Sequence, residues 1–367
     1  MYFHSLKLSY NHLGNNLTIN LISNYDLMGI NIGGLLKTEK VSFNDLKDRV
    51  IAVDAYNVIH QFLAIIRQRD GTPLKNSEGR ITSHLSGLLH RTGNMVESRI
   101  RPVYVFDGIP HPLKFQTLQD RKERKILAEK EWKEAIEIGD MDKAKSKAQQ
   151  TSRITEEIAS QSKELLRLLG IPFIQAPSEG EAQASYMVKK GDAYGVGSQD
   201  FDCLLVGSPI LIRNLTSSSR RKLPGKKAYS KVNPELIRLD INLKQLGISH
   251  KQLVDMAILI GTDFNPGIKG LGPKKSLNLI KEVGNIENAI AKFGGENAPS
   301  FEEINEIRKI FLKPNVTKDY NLKWINPDID KIYEFLCEEF NFTKNRIEPI
   351  LEKFENIENM MKQKTLF

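Results

Sequence analysis

Short apolar runs that end at acidic residues recur along this chain. Four occur, each given with the acid that follows: VIAV before Asp54, VYVF before Asp107, IPFIQA before Glu179 and AYGVG before Asp200. Runs of this length, separated by helical stretches, are typical of buried parallel strands. The carboxyl ends of parallel strands share one edge of a sheet, where ligand sites form. The pattern predicts an α/β fold with a mostly parallel central sheet flanked by helices and acids gathered at one edge.

Composition excludes several other classes of protein. The 367 residues are 40% apolar and 27% charged, as in soluble globular proteins of one large domain or two ordinary ones. The sequence has no uninterrupted apolar stretch of the roughly 20 residues that a membrane helix needs, and no secretion signal. Cys203 and Cys337 are too few for a disulfide framework and lack zinc-ligand spacing. These features predict a cytoplasmic protein that does not enter a membrane.

Charge is unevenly distributed along the chain. The formal net charge is +8, which favours a polyanionic partner. Residues 114–153 are densely basic, and residues 111–165 are rich in Lys, Glu, Ala and Gln with little apolar content. Such a stretch predicts long exposed helices inserted above the sheet. A cationic surface is therefore expected apart from an anionic pocket.

The acids after the apolar runs, with their near neighbours and one further residue, form a set of seven: Asp54, Asp107, Glu179, Glu181, Asp200, Asp202 and Asp263. If they meet in one pocket, their mutual repulsion must be neutralised by cations. Oxygen ligands without His or Cys suit Mg²⁺ or Mn²⁺. Seven acids are too many for one octahedral ion, so the set predicts two metal ions about 4 Å apart, the arrangement used in phosphodiester hydrolysis.

Each acid also has an ordinary structural interpretation. Asp54 and Asp107 are suited to capping a helix or a turn. Ser178 and Glu181 match a capping box, in which the glutamate bonds to the backbone of its own helix. Asp263 follows Gly-Thr and fits a loop after a helix. On pattern alone these alternatives stay open.

The segment GIKGLGPKK at residues 267–275 fits the turn of a helix-hairpin-helix. Gly270 and Gly272 would let backbone N–H groups approach a phosphate at the start of the next helix. Lys274 and Lys275 would add charge without reading base sequence. A tight turn with a C-cap glycine would look similar.

Six motifs in order resemble those of the flap endonucleases, most closely the archaeal type: VDAYN, VFDG, APSEGEA, SQDFD, GTDFN and GIKGLGPKK. The similarity runs from about Met28 to about residue 350. It implies a PIN-like 5′ nuclease fold with a helical arch and a helix-hairpin-helix (H3TH) element. It also implies a structure-specific 5′ flap endonuclease with 5′-3′ exonuclease activity, acting in Okazaki fragment maturation and base excision repair with two divalent metals.

The same resemblance assigns roles to individual residues. All seven acids fall on metal-site positions of the family. Lys114 and Arg121, in the basic insertion, match positions whose cationic side chains point at the scissile phosphate; the alternative is that they are solvated charges. The resemblance adds a bound K⁺ at the helix-hairpin-helix. His60, where the family usually has a stacking tyrosine, and the weaker candidates Arg67 and Thr82 match positions near the DNA.

The predicted domain organisation follows these motifs. Residues 28–126 form an N-terminal nuclease region, 110–155 the helical arch, and 150–285 an internal nuclease region that contains the helix-hairpin-helix at 253–282. Residues 286–356 supply C-terminal helices. Residues 357–367 form a tail with a partial motif for a sliding clamp (PCNA), in which Gln363, Leu366 and Phe367 are present but a second aromatic is missing.

The first 27 residues depart from the family, whose members usually begin Met-Gly. MGINIGGLL starts at Met28, which predicts that residues 1–27 are a non-native or disordered extension. A true extension displaced from the DNA path is the alternative.

Three rival functions remain at this level. A related nuclease of the same fold could act on junctions, bubbles or RNA, because fold does not define substrate. A catalytically silent protein could bind branched DNA, although it would be expected to lack at least one of the seven acids. An unrelated basic α/β protein could use the acids as caps.

His60→Tyr should keep or raise cleavage of a 5′-flap substrate, because tyrosine offers more area than imidazole for stacking on a base. Steady-state cleavage rates of the two proteins on one substrate test this, and a large loss in the variant would contradict the assigned role.

Overall fold

A seven-stranded mixed sheet organises the protein in this computed structural model, which describes residues 30–216, 220–222, 229–295, 298–354 and 357. The spatial order of the strands is β1-β9-β6-β5-β2-β3-β4. The neighbours from β6 to β4 are parallel, whereas β9 runs antiparallel to both β6 and β1. The sheet strands are β1 (Glu39–Lys40), β2 (Val50–Asp54), β3 (Arg101–Phe106), β4 (Phe173–Gln175), β5 (Gly195–Gly197), β6 (Ile210–Arg213) and β9 (Glu235–Arg238). A separate pair joins β7 (Arg220–Lys222) to β8 (Tyr229–Lys231).

The register of the parallel strands brings their carboxyl ends level. Asp54 at the end of β2 is paired with Val105, two residues before Asp107, and Val53 is paired with Gly197, one residue before Ser198. The predicted α/β class and the convergence of the acids at one sheet edge are therefore confirmed. The apolar runs are continuous because both faces of the sheet are covered.

Helices pack on both faces of the sheet. One face carries α1 (Ala55–Ile65), α2 (Ser83–Glu97) and α5 (Glu156–Leu168), whose buried side chains share a core with α13 (Ile329–Tyr333) and α14 (Lys344–Leu351). The other face is covered by α6 (Gly180–Lys190), α7 (Asp202–Leu205), α8 (Leu239–Leu246) and α9 (His250–Ile260). The described helices include none that is long and apolar enough to cross a membrane.

The basic insertion forms a helical hairpin above the carboxyl edge. A 3₁₀ turn at Pro112–Lys114 leads into α3 (Phe115–Glu137), and α4 (Met141–Gln149) returns beside it. Four buried alanines let the two helices approach closely: Ala128, Ala135, Ala144 and Ala148. These helices lie within the segment 110–155 predicted as the arch.

The helix-hairpin-helix prediction also corresponds to observed elements. Helix α9 is followed by a turn and by α10 (Pro273–Val283), where Gly272 is the N-cap and Pro273 occupies the first position. Helices α11 (Ile286–Phe293) and α12 (Phe301–Leu312) complete this part of the molecule.

A buried ion network joins these helices. Arg308 of α12 donates from Nε and Nη2 to the carboxylate of Asp255 in α9, at 2.6 and 2.8 Å, and contacts Glu287 of α11. The Asp255 side chain is 1% exposed. The pairing therefore sets where α12 lies against the helix-hairpin-helix.

Arg308→Met should lower the free energy of unfolding by about 3–5 kcal/mol, because it leaves the charge of Asp255 buried without its partner. Urea unfolding provides the measurement. The double variant Arg308→Met with Asp255→Leu should recover much of this loss, and a single variant as stable as the native protein would refute the account.

Candidate active site

Asp54 and Asp107 lie side by side at the carboxyl ends of β2 and β3. The Asp54 carboxylate accepts hydrogen bonds from the Asn57 amide at 3.0 Å and from Ser198 Oγ at 3.0 Å. Asp107 Oδ1 accepts from the Gly180 amide at 2.6 Å. Asp54 is thus both the N-cap of α1 and a member of the acidic cluster, so its two interpretations are compatible.

The two glutamates stand at the start of α6. Glu179 is the N-cap of this helix by backbone position, but its side chain makes no capping bond. Ser178 Oγ donates to the Ile109 carbonyl oxygen at 3.2 Å. The capping-box interpretation of Ser178 and Glu181 is therefore wrong, since the helix begins one residue later than that pattern requires.

Asp200 and Asp202 occupy the loop after β5 and the start of α7. Asp200 Oδ1 accepts from the Asp202 amide at 2.9 Å, and Asp202 Oδ1 accepts from the Ile30 amide at 2.9 Å. Carboxylate oxygens of Glu181, Asp200 and Asp202 lie within 4.8 Å of one another. That spacing suits three ligands of one cation.

Asp263 completes the cluster from the loop after α9, where it meets two cations from the base of the arch. Arg121 Nη2 lies 2.5 Å from Asp263 Oδ1, and Lys114 Nζ lies 3.3 Å from Asp263 Oδ2. Lys114 also donates to Glu179 Oε2. The side chains of Lys114 and Arg121 are 13% and 14% exposed, so both are directed into the site and are not solvated charges of the helix surface.

Burial and repulsion dominate the electrostatics of the cluster. Burial, with the charges of Asp54 and Glu179, raises the pKa of Asp107 to about 7. Burial, with the charge of Asp263, raises the pKa of Asp202 to about 6.

The other shifts follow the same causes. Burial, followed by the charge of Asp202, raises the pKa of Asp200 well above its ordinary value. Burial, followed by the charge of Asp200, does the same to the pKa of Glu181. Burial alone would lower the pKa of Lys114, but the surrounding carboxylates raise it instead. Two cations thus leave much of the negative charge uncompensated.

Divalent cations fit this donor set. Among the buried polar atoms of the described residues, Glu179 Oε1 has no hydrogen-bond partner, as expected of an oxygen reserved for a cation. The remaining donors are carboxylate oxygens without sulfur or imidazole, which suits Mg²⁺ or Mn²⁺.

The weaker candidates lie along the α1–α2 side of the site. His60 is a partly exposed residue of α1. Thr82 is 6% exposed and precedes α2. The Arg67 guanidinium is bonded within the protein, to the carbonyl oxygens of Leu63 and Gly71, both at 2.8 Å, and to two arch hydroxyls. Its burial lowers the pKa of Arg67 to about 10.

The helix-hairpin-helix candidates lie together at the turn before α10. Gly270 has φ +90°, and an added Cβ at either Gly270 or Gly272 would meet nothing within 4 Å. Lys274 and Lys275 are exposed in the first turn of α10. The turn therefore presents open backbone and two charges on the surface.

Gln363, Leu366, Phe367 and residues 1–27 lie outside the described residues.

Sequence reasoning missed the residues that hold the carboxylates. Ser198 Oγ, besides its bond to Asp54, accepts from the Asp200 amide at 3.1 Å, and Asn57 Oδ1 accepts from the Gln199 amide at 3.2 Å. Their signal was local: Asn57 is three residues after Asp54, and Ser198 is two before Asp200.

Known proteins resemble this chain in sequence and in fold. Flap endonuclease 1 of Archaeoglobus fulgidus is 51% identical over 332 residues, which cover 90% of this chain and 97% of that protein. The solved structure of flap endonuclease-1 from Methanococcus jannaschii is 40% identical with a TM-score of 0.71, over 91% of this chain and 99% of that one. The catalytic core of Rad2 in complex with DNA substrate is 26% identical with a TM-score of 0.62, over 88% and 97%.

Residues 28–128 match the XPG N-terminal domain, and residues 170–263 match the XPG I-region. The seven clustered acids all come from these two regions. Fold and site together define a nuclease of the XPG class. Because the similarity to flap endonucleases extends over nearly the whole chain, the protein belongs to the flap endonuclease family, as its motif order predicted.

In metal-free buffer, the contribution of the acidic cluster to the melting temperature should fall as pH rises from about 5 to 8. The raised pKa values of Asp107 and Asp202 mean that these carboxyl groups bind more protons in the folded protein than in the unfolded chain between about pH 4 and 7, and this contribution is lost as pH passes the folded values. Burial lowers the pKa of His84 to about 4, which acts in the opposite direction, so the cluster's contribution is measured as the difference between the wild type and Asp107→Asn. Mg²⁺ should reverse the trend, raising the melting temperature by roughly 5 °C at pH 8 and by less at pH 5.

Asp107→Asn provides the control, since it removes the carboxyl whose pKa is raised to about 7 and should flatten the pH dependence. If Mg²⁺ raised the melting temperature as much at pH 5 as at pH 8, this result would contradict a carboxylate metal site.

Proposed function

We propose that this flap endonuclease hydrolyses DNA phosphodiesters near the branch point of 5′ flaps, with two divalent metals, Mg²⁺ or Mn²⁺, held by the seven carboxylates. The observation that carries the proposal is the convergence of these acids with Lys114 and Arg121 at the base of the arch. In such a site the metals would activate water and stabilise the attacking and leaving oxygens.

The protein's own side chains would hold the carboxylates in place and stabilise charge on the phosphate. The seven acids form the floor of the site, in which Ser198 holds Asp54 and backbone amides hold Asp107 and Asp202. Lys114 and Arg121 enter from the arch side, where a scissile phosphate would lie between them and the floor. Their charges would stabilise the negative charge that develops on the phosphate oxygens during hydrolysis.

Binding of the duplex is assigned to the helix-hairpin-helix. Open backbone at Gly270 and Gly272, with Lys274 and Lys275 beside it, suits phosphate contacts that carry no sequence information. A K⁺ ion at this turn is part of the proposal. Rad2, which shares the fold, has been solved in complex with DNA substrate, and this supports binding of DNA by this chain. His60, Arg67 and Thr82 remain predicted contacts near the branch.

The wider biological setting is also a proposal. A 5′ nuclease with this arch would serve Okazaki fragment maturation and base excision repair in the cytoplasm, and would be recruited by a sliding clamp. The domain boundaries predicted from the motifs are part of this proposal. Pull-down with and without residues 360–367 tests the clamp contact.

The decisive experiment compares the wild type with Asp200→Asn on a double-flap DNA in Mg²⁺. We expect the wild type to cut near the branch and the variant to be at least about a hundredfold slower, because it loses a ligand charge at the centre of the cluster. Asp240→Asn, at an exposed acid of α8, is the matched control and should cleave like the wild type.

Bubble and four-way-junction DNAs of the same sequence define the substrate class. Equal or faster cleavage of either by the wild type would favour the related junction or bubble nucleases. Retention of full activity by Asp200→Asn would reject the site.

A further inference from the structure

The far part of the arch rests on the connection between α1 and α2. The contact surface on that connection is residues 67–73, which we call the arch dock. Trp132 of α3 donates its indole N–H to the Asp70 carbonyl oxygen at 3.0 Å. Arg67 donates from Nη2 to Ser152 Oγ at 3.0 Å and to Thr151 Oγ1 at 3.4 Å, just beyond α4. Both limbs of the arch are therefore tied to this one loop.

The dock is closely packed against the arch. Gly71 has φ +88°, and a Cβ added there would lie 2.6 Å from the Ala148 Cβ and 3.1 Å from Trp132 Nε1. The loop is shaped by its own bonds: Thr72 donates from its amide and its hydroxyl to Asp70 Oδ1, at 2.9 and 2.7 Å. Glycine at position 71 thus allows the backbone of the loop to touch α4.

One side of α3, together with its N-cap Lys114, contacts the acidic cluster near the start of the helix and the arch dock near its end. Lys114 and Arg121 are seven residues apart, and Trp132 is eleven residues beyond Arg121, spacings close to two and three helical turns. Lys114 and Arg121 reach the carboxylates, whereas Trp132, about 16 Å further along the helix, reaches the dock. A continuous helix held at two points has a defined tilt.

We propose that the arch dock positions Lys114 and Arg121 for catalysis by setting the tilt of α3, with Arg67 and Gly71 as its positioning residues. This inference rests on the proposed function of the two cations. In this proposal Arg67 acts on catalysis indirectly, through contacts within the protein, since three of its nitrogens are bonded to Leu63, Gly71 and the arch hydroxyls. Loss of the dock would displace the cations although no residue of the site had changed.

Gly71→Ala and Gly79→Ala form a matched pair that tests the dock. Both glycines lie in the α1–α2 connection with nearly equal φ, +88° and +84°, so alanine strains both backbones similarly. An added Cβ meets the arch only at position 71, because nothing lies within 4 Å at position 79. The difference between the variants therefore isolates the contact with the arch.

Gly71→Ala should change the emission of Trp132 and lower kcat on a 5′-flap DNA by on the order of 10- to 100-fold, with a smaller change in KM. Gly79→Ala should leave the Trp132 emission as in the wild type. The protein has two tryptophans, so a Trp132→Phe variant identifies the Trp132 signal by difference. Melting temperatures of both glycine variants show whether any loss of rate reflects global unfolding.

Arg67→Lys separates positioning from direct contact with DNA. A lysine keeps the charge but not the forked hydrogen bonds, so a docking role predicts altered Trp132 emission and a lower kcat. A role confined to phosphate binding predicts native emission and a change mainly in KM and its salt dependence.

Unchanged Trp132 emission in Gly71→Ala, or equal loss of kcat in Gly71→Ala and Gly79→Ala, would overturn the proposal. The emission measurements need no DNA cleavage. A wild type that cuts no flap would therefore defeat the proposed function while the emission data still decided whether the dock holds the arch.

Discussion

Repulsion among seven carboxylates gathered at one sheet edge is the constraint on which the rest of the site depends. Burial makes each charge more costly, and strand register keeps the ends of β2 and β3, with Asp54 and Asp107, next to each other. The protein offsets part of the cost with amide and hydroxyl donors and part with Lys114 and Arg121. The remaining charge accounts for the affinity for divalent cations that we propose.

The two cations connect this electrostatic problem to the shape of the molecule. Both belong to the base of the arch, so the hairpin of α3 and α4 is attached to the start of α6 and to the loop after α9 through ion pairs with Glu179 and Asp263. At its far part the arch is tied to the dock by hydrogen bonds and close packing. The helix-hairpin-helix is joined separately to α12 through Arg308. Asp263, in the loop between α9 and α10, connects this element to the acidic cluster and to both cations of the arch.

Much of the fold and the acids at the strand ends followed from local sequence signals, whereas the roles of Lys114 and Arg121 came from the resemblance to a known family. Apolar runs that end at Asp54 and Asp107 define strand ends because burial on both sheet faces requires continuous apolar sequence. The basic insertion and the Gly-Pro turn before α10 were recognisable for similar local reasons. Contacts between distant segments left no such signal: nothing near Arg67 in sequence indicates Ser152, and nothing near Asp255 indicates Arg308. Ser178 and Glu181 misled because the spacing of a capping box does not reveal where a helix begins.

Asp54 combines a helix cap with a place among the acids, and this has an evolutionary consequence. Asparagine caps a helix about as well as aspartate, so Asp54→Asn would preserve the start of α1 while removing one negative charge. A single-base change in the codon is enough to make it. On the function proposed above, the product would be a folded protein that occupies branched DNA without processing it, and so interferes with the intact enzyme in the same cell. Purifying selection at this position would then act on competition between alleles as well as on lost activity.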